Sequence, residues 1–175
     1  MVVLSCYALT TALFFSACTK NRTIALPLTV VEIKVRSGNS WSLSNAAMTI
    51  VSGATINLYE TPVAIIHHQS PTYSATTNYL GVAAIPVDYK KRYYFTVEKG
   101  KAKNTLDGLL ITGIFGSQAA IDTSPVQLPA PAVGSPSFLD TNGDGIINSP
   151  DDNVYADYID IIQNNKVTKT AIIYQ

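Results

Sequence analysis

The chain reads as mainly β, a β-sandwich with one helix near its C-terminus, and three observations predict this. Apolar residues alternate at period two in three places. Val31, Ile33 and Val35 oppose Glu32, Lys34 and Arg36; Ala54, Ile56 and Leu58 alternate; and Tyr93, Phe95 and Val97 oppose Tyr94, Thr96 and Glu98. Successive strand side chains point to opposite faces, so each run is a half-buried strand. The composition agrees: ten Tyr against five Phe and one Trp, with 14% charged residues, suits pleated surfaces more than helices. Against these runs, one segment has helical spacing, with Val154, Tyr155, Tyr158, Ile159 and Ile162 on one face.

At 175 residues the chain is long enough to bury one sizeable core. A net charge of zero argues against nucleic acid or an anionic membrane surface as an electrostatic partner.

Val2 to Ala17 is apolar and ends in Leu13-Phe14-Phe15-Ser16-Ala17-Cys18. The run is too short to span a bilayer comfortably, and it resembles a bacterial lipoprotein signal with its lipobox. Ser16 and Ala17 are the small residues that precede the modified cysteine in that pattern. The pattern departs in having Phe15 where Leu is commoner, and no Lys or Arg precedes the apolar run. The resemblance implies a signal peptide over 1–17, acylation of Cys18 and anchoring to the outer membrane of a Gram-negative envelope. Cys6 would leave with the signal, so Cys18 would be the one cysteine of the mature chain. Residues 18–27 form a short polar tether, and 28–175 form the folded domain.

In chain order, the first strand begins near Leu28. Ser37 to Ser52, with Gly38, Asn39, Asn45 and Trp41, reads as a long excursion, and alternation resumes from Ala54 to Leu58. Val63 to Ile66 is a short apolar run before His67 and His68, and Gln69 to Thr77 reads as a polar loop. Val82 to Val87 is a strand whose Pro86 places it at a sheet edge, since proline donates no ladder hydrogen bond. Tyr93 to Val97 and Leu109 to Phe115 follow as apolar segments; residues 116–138 read as irregular. Ala171 to Tyr174 is a last strand.

Asp140 to Asp151 reads Asp-Thr-Asn-Gly-Asp-Gly-Ile-Ile-Asn-Ser-Pro-Asp. Oxygen-bearing side chains fall at positions 1, 3, 5, 9 and 12, with glycine at 6, which is the spacing of a twelve-residue calcium loop. Calcium takes six to eight hard oxygen ligands. Asp140, Asn142, Asp144, Asn148 and Asp151 supply side-chain oxygens, and the Ile146 carbonyl is the position-7 ligand. Ile147 faces away from the ion and anchors the loop. The competing reading is a polar Asn-Gly/Asp-Gly turn that needs no ion. Position 12 is Asp in place of the longer Glu of most EF-hands. The loop resembles the calcium repeat of dockerin modules, Asp-x-Asn-x-Asp-Gly-x-x-Asn-x-x-Asp, which has an exiting helix and no regular entering one. That resemblance implies bound Ca²⁺ and a helix over about 152–163, with Ser149 as N-cap and Pro150 in the first turn. Dockerins bind partners through two such repeats and this chain has one, so their partner binding does not carry over. Similar stretches also occur in TonB-dependent transporters.

Residues 28–99 look like a carboxypeptidase regulatory-domain-like, or transthyretin-like, β-sandwich. The carriers are Ala54-Thr55-Ile56-Asn57-Leu58-Tyr59, Asn78-Tyr79-Leu80-Gly81-Val82-Ala83 and Arg92-Tyr93-Tyr94-Phe95-Thr96-Val97. The family is typically non-catalytic, which implies binding, stability or display. The stretch between Gly38 and Ala54 departs from it, since a tight turn is usual there.

No enzyme pattern competes. His67 and His68 are adjacent, so in a strand they face opposite ways and cannot chelate one metal together. No Gly-x-Ser-x-Gly elbow, phosphate loop or dinucleotide-binding glycine pattern is present. Lys90-Lys91-Arg92 and Lys99 to Lys103 are small basic spots that read as solvated turns. Trp41, Tyr73, Tyr79 and Tyr94 are candidates for stacking on sugar rings. The expectation is therefore a non-enzymatic, calcium-stabilised envelope lipoprotein that acts as a structural or interaction module. The alternative is a carbohydrate-binding lipoprotein working with an outer-membrane transporter.

Overall fold

The structure is a computed structural model, described for residues 28–38, 48–126, 128, 130–147 and 157–175. In chain order its elements are β1 (Val30–Ser37), β2 (Thr49–Ile50), β3 (Thr55–Tyr59), α1 (Pro62–Ile66), β4 (Tyr73–Thr76), β5 (Val82–Pro86) and β6 (Arg92–Lys99). They continue with β7 (Ala102–Lys103), β8 (Thr105–Leu106), β9 (Leu109–Ile114), α2 (Gln118–Asp122), β10 (Pro136–Phe138), β11 (Asp157–Asp160) and β12 (Lys166–Ile173).

The first layer is built on β1. Its alternation holds: Val31, Ile33 and Val35 are fully buried. On one side β12 runs parallel to it along all eight residues, from Val30 opposite Lys166 to Ser37 opposite Ile173. On the other side β5 pairs antiparallel with residues 30–34, and β2 with Arg36 and Ser37. Among the described residues β5 pairs with β1 alone, so Pro86 sits on an edge, as the missing N–H requires.

The second layer orders its strands β11-β6-β3-β4, with β7 pairing the far end of β6. Ile56, Leu58, Tyr93, Phe95 and Val97 point inward at 0–1% exposure and meet β1, β5 and β12 in one core. Each such side chain contributes about 1.5–3 kcal/mol over remaining exposed, so this shared core holds the layers together. Thr77 ties the corner. Its hydroxyl donates to the Val51 carbonyl (2.9 Å) and accepts from Ala54 N (2.9 Å). The turn that follows is built by Asn78, whose side-chain oxygen accepts from Leu80 N and Val82 N at 2.9 and 3.2 Å. Gly81 closes it at φ +69°, where a Cβ would meet Ile50 at 2.7 Å and the Val35 and Val51 carbonyls at 3.1 Å. A third, small sheet of β8, β9 and β10 extends from β7.

Several sequence expectations are corrected. The helix expected over about 152–163 does not form at its C-terminal part: Asp157–Asp160 is strand β11, antiparallel to β6, and residues 161–165 turn back toward β12. Ile159 and Ile161 are both buried, at 5% and 6%. That period-two pair, satisfied by Tyr93 and by backbone pairing with β6, overrides the helical spacing of Tyr155, Tyr158, Ile159 and Ile162. Val154, Tyr155, Ser149 and Pro150 lie outside the described residues. Two short helices stand instead where none was expected. α1 starts at the Thr61 cap with Pro62 in its first turn, and α2 at the Ser117 cap. Part of the expected 69–77 loop is strand β4, which pairs with β3, and part of the 116–138 stretch is α2 and β10. The last strand starts at Lys166 and not at Ala171.

Candidate metal centre

β10 leads into the loop, and Leu139 N donates to the Leu110 carbonyl (3.2 Å), so residue 140 leaves from a paired strand. From there the side-chain oxygens at positions 1, 3 and 5 all fold back onto the loop's own amides. Asp140 accepts from Gly143 N at 2.6 Å and from Gly145 N at 2.8 Å, one on each carboxylate oxygen. Asn142 Oδ1 accepts from Asp144 N (2.9 Å), and Asp144 Oδ1 accepts from Ile146 N (2.7 Å). The Asn142 amide group donates to the other Asp144 oxygen at 3.2 Å. Gly143 and Gly145 have φ of +79° and +82°, the left-handed turns that let the chain wind around its own carboxylates. Ile147 is 3% exposed, so the loop is anchored behind that winding.

The described donors are two carboxylates, one amide oxygen and the Ile146 carbonyl. All are hard oxygens of the kind calcium takes, and a carboxylate oxygen with one amide partner keeps a lone pair for a cation. Asn148 and Asp151, the remaining expected ligands, lie outside the described residues, as does Cys18. Among the described residues no three His, Cys, Asp or Glu side chains converge as a metal-binding group. No helix among them is long and apolar enough to cross a membrane.

The other candidates are placed as follows. His67 caps the C-terminus of α1 and His68 follows it at φ +50°, both exposed; they end a helix and not a strand. His68 borders a polar cleft of about 280 Å³ with Asn57, Gln69, Glu98, Lys103 and Asp107. Tyr73 is held edge-on to Tyr93 (5.8 Å) and donates to Asp88 (3.0 Å), and Tyr94 packs against Tyr158 and the small cluster of Tyr59 and Ile65. Tyr79 is 82% exposed at a turn, and Trp41 lies outside the described residues. Those tyrosines stand on β4, β6 and the 78–81 turn and do not form one platform. Three residues of the basic spots are partnered. Arg92 makes a bidentate pair with Asp160 (2.7 and 3.1 Å) and stacks on Tyr158 at 3.7 Å, Lys90 pairs with Glu60, and Lys99 donates to the Ser52 carbonyl.

Some residues carry more than sequence reasoning assigned them. Lys169 on β12 reaches across to β11, pairing with Asp157 and donating to the Tyr158 carbonyl, so it clasps the edges of the two layers together. Nothing local in the sequence announces a contact between strands of different sheets. Asn104 is 2% exposed and accepts from Val97 N at 2.7 Å, while its Nδ2 has no hydrogen-bond partner among the described residues. Asp107-Gly108, at φ of +49° and +84°, closes the β8–β9 hairpin, and that dipeptide was a readable signal. The Arg92 guanidinium holds the Asp160 carboxyl below its ordinary range, and the hydrogen bond from Lys166 does the same for Glu32. Burial pushes the Tyr93 hydroxyl upward. No known protein family, no curated protein and no solved structure matches the chain.

Proposed function

We propose that this chain is a non-enzymatic envelope lipoprotein: a transthyretin-like β-sandwich tethered by an acylated Cys18, with Ca²⁺ bound in the 140–151 loop. The observation that carries the reading is the segment Ser16-Ala17-Cys18, set between an apolar run and a polar tether, ahead of a β body that begins at β1. The inward winding of Asp140, Asn142 and Asp144 supports the calcium part. In this role the protein holds or displays a surface at the membrane, and Ca²⁺ stabilises the loop by linkage, by about 2.7 kcal/mol at a hundredfold excess over Kd.

Fractionation tests the reading. Wild type should sediment with membranes and Cys18→Ala should move to the soluble fraction; a wild-type protein already soluble and free of acyl groups overturns it. The second reading, glycan binding, has the exposed Tyr79 in its favour. It requires glycan-array binding that is lost in Tyr79→Ala.

A further inference from the structure

We propose that the end of the β body around Leu28 is a membrane-contacting face that rests on the lipid interface, a proposal that stands on the lipoprotein reading of Cys18. Three segments meet at this end. Val87 N donates to the Thr29 carbonyl (3.0 Å), Val30 N to Asn165 (3.0 Å), Asn164 N to the Thr29 hydroxyl (2.9 Å), and Ile161 N to Lys91 (3.0 Å). Each segment exposes one large apolar side chain: Leu28 at 70%, Tyr89 at 52% and Ile162 at 57%. All three therefore stand at the same end of the body, on segments that hydrogen-bond to one another. Tyrosine and the stems of Lys90 and Lys91 suit a boundary that is apolar on one side and wet on the other.

The choice of a bilayer as occupant follows from where the chain enters. Residues 18–27 lie between Cys18 and Leu28, and ten residues of chain span at most about 36 Å. An acylated Cys18 therefore keeps this end within that length of the lipid, which makes the contact intramolecular, so a few apolar side chains suffice. The opposite end, with Tyr79 and Ile50 exposed, lies further off by the length of β1, about 26 Å for eight residues. Charge does not drive the contact: Lys90 pairs with Glu60, Lys166 with Glu32 and Arg92 with Asp160. The contact should accordingly form on zwitterionic lipid and resist salt.

The test uses the acylated full-length protein in phosphatidylcholine vesicles containing brominated phosphatidylcholine. Ile162→Cys and, separately, Tyr79→Cys carry an environment-sensitive fluorophore. Strong quenching at 162 and little at 79, unchanged by salt, is the expected result, and Leu28→Ser with Tyr89→Ser should weaken it. If the chain is acylated and vesicle-bound but the two positions are quenched alike, or 162 is not quenched, the face is overturned while the lipoprotein reading stands. If 162 is shielded by a co-purifying protein and not by lipid, the occupant is wrong and the proposal falls. A chain that carries no acyl group and does not float with vesicles overturns both.

Discussion

Asp144 sits at the middle of the wound loop, accepting from Ile146 N and from the Asn142 amide, and it is the residue through which the metal proposal is best tested. Calorimetric titration of wild type with Ca²⁺ should give heat and protect the region from about residue 138 onward against protease. Asp144→Ala removes a central oxygen ligand and should abolish both; no heat from wild type at millimolar Ca²⁺ would reduce the loop to a polar turn. Asn104 gives a separate prediction from packing. Its side chain is the partner of the buried Val97 N–H, so Asn104→Ala leaves that donor unsatisfied and should cost about 1–3 kcal/mol in a urea midpoint measurement. Glu32 and Asp160 set the acid limb. Both carboxyls lie below their ordinary values when folded, first through hydrogen bonds from Lys166 and Arg92. Their contribution is therefore present above the unfolded values, about 4, and is lost as pH falls through the folded ones. Tm should drop below about pH 4, and Glu32→Gln should flatten that drop.

Among elements, β1, β3 and β6 were legible because each alternates over five or more residues and buries one face fully. The edge position of β5 was legible from Pro86 alone. β11 was not, since Tyr155, Tyr158, Ile159 and Ile162 satisfy a helical period while Ile159 and Ile161 satisfy a strand, and pairing with β6 decides between them. α1 and α2 are five residues each, too short for periodicity, although their Thr61-Pro62 and Ser117 caps were readable. The loop from Asp140 to Ile147 was legible because its spacing is local, whereas the Lys169 clasp joins strands from different layers. Two substitutions check the elements as described. Ile159→Ala should destabilise by about 2–5 kcal/mol if β11 is a core strand, and only slightly if the segment were a surface helix. Gly81→Ala should cost more than about 1 kcal/mol, since it puts a side chain at positive φ against two carbonyls.

For the molecule as a whole, the parallel pairing of β1 with β12 joins the start of the folded body to its last strand. β12 supplies Ala171 and Ile173 to the common core and carries the clasp to β11. Deleting residues 166–175 should therefore abolish cooperative unfolding of the entire body, where loss of a mere surface strand would only lower Tm. The same arrangement fixes which end of the body faces the tether, because Val30, just after Leu28, and Lys166 start their strands side by side. Everything proposed about the protein's place in the cell hangs from Cys18 and the apolar run before it. The direct measurement is mass spectrometry of the N-terminal peptide from protein purified out of membranes. A mature chain beginning at a di- or triacylated Cys18 is the expected result. An unmodified Cys18, or an N-terminus that retains residues 1–17, would contradict the lipoprotein account.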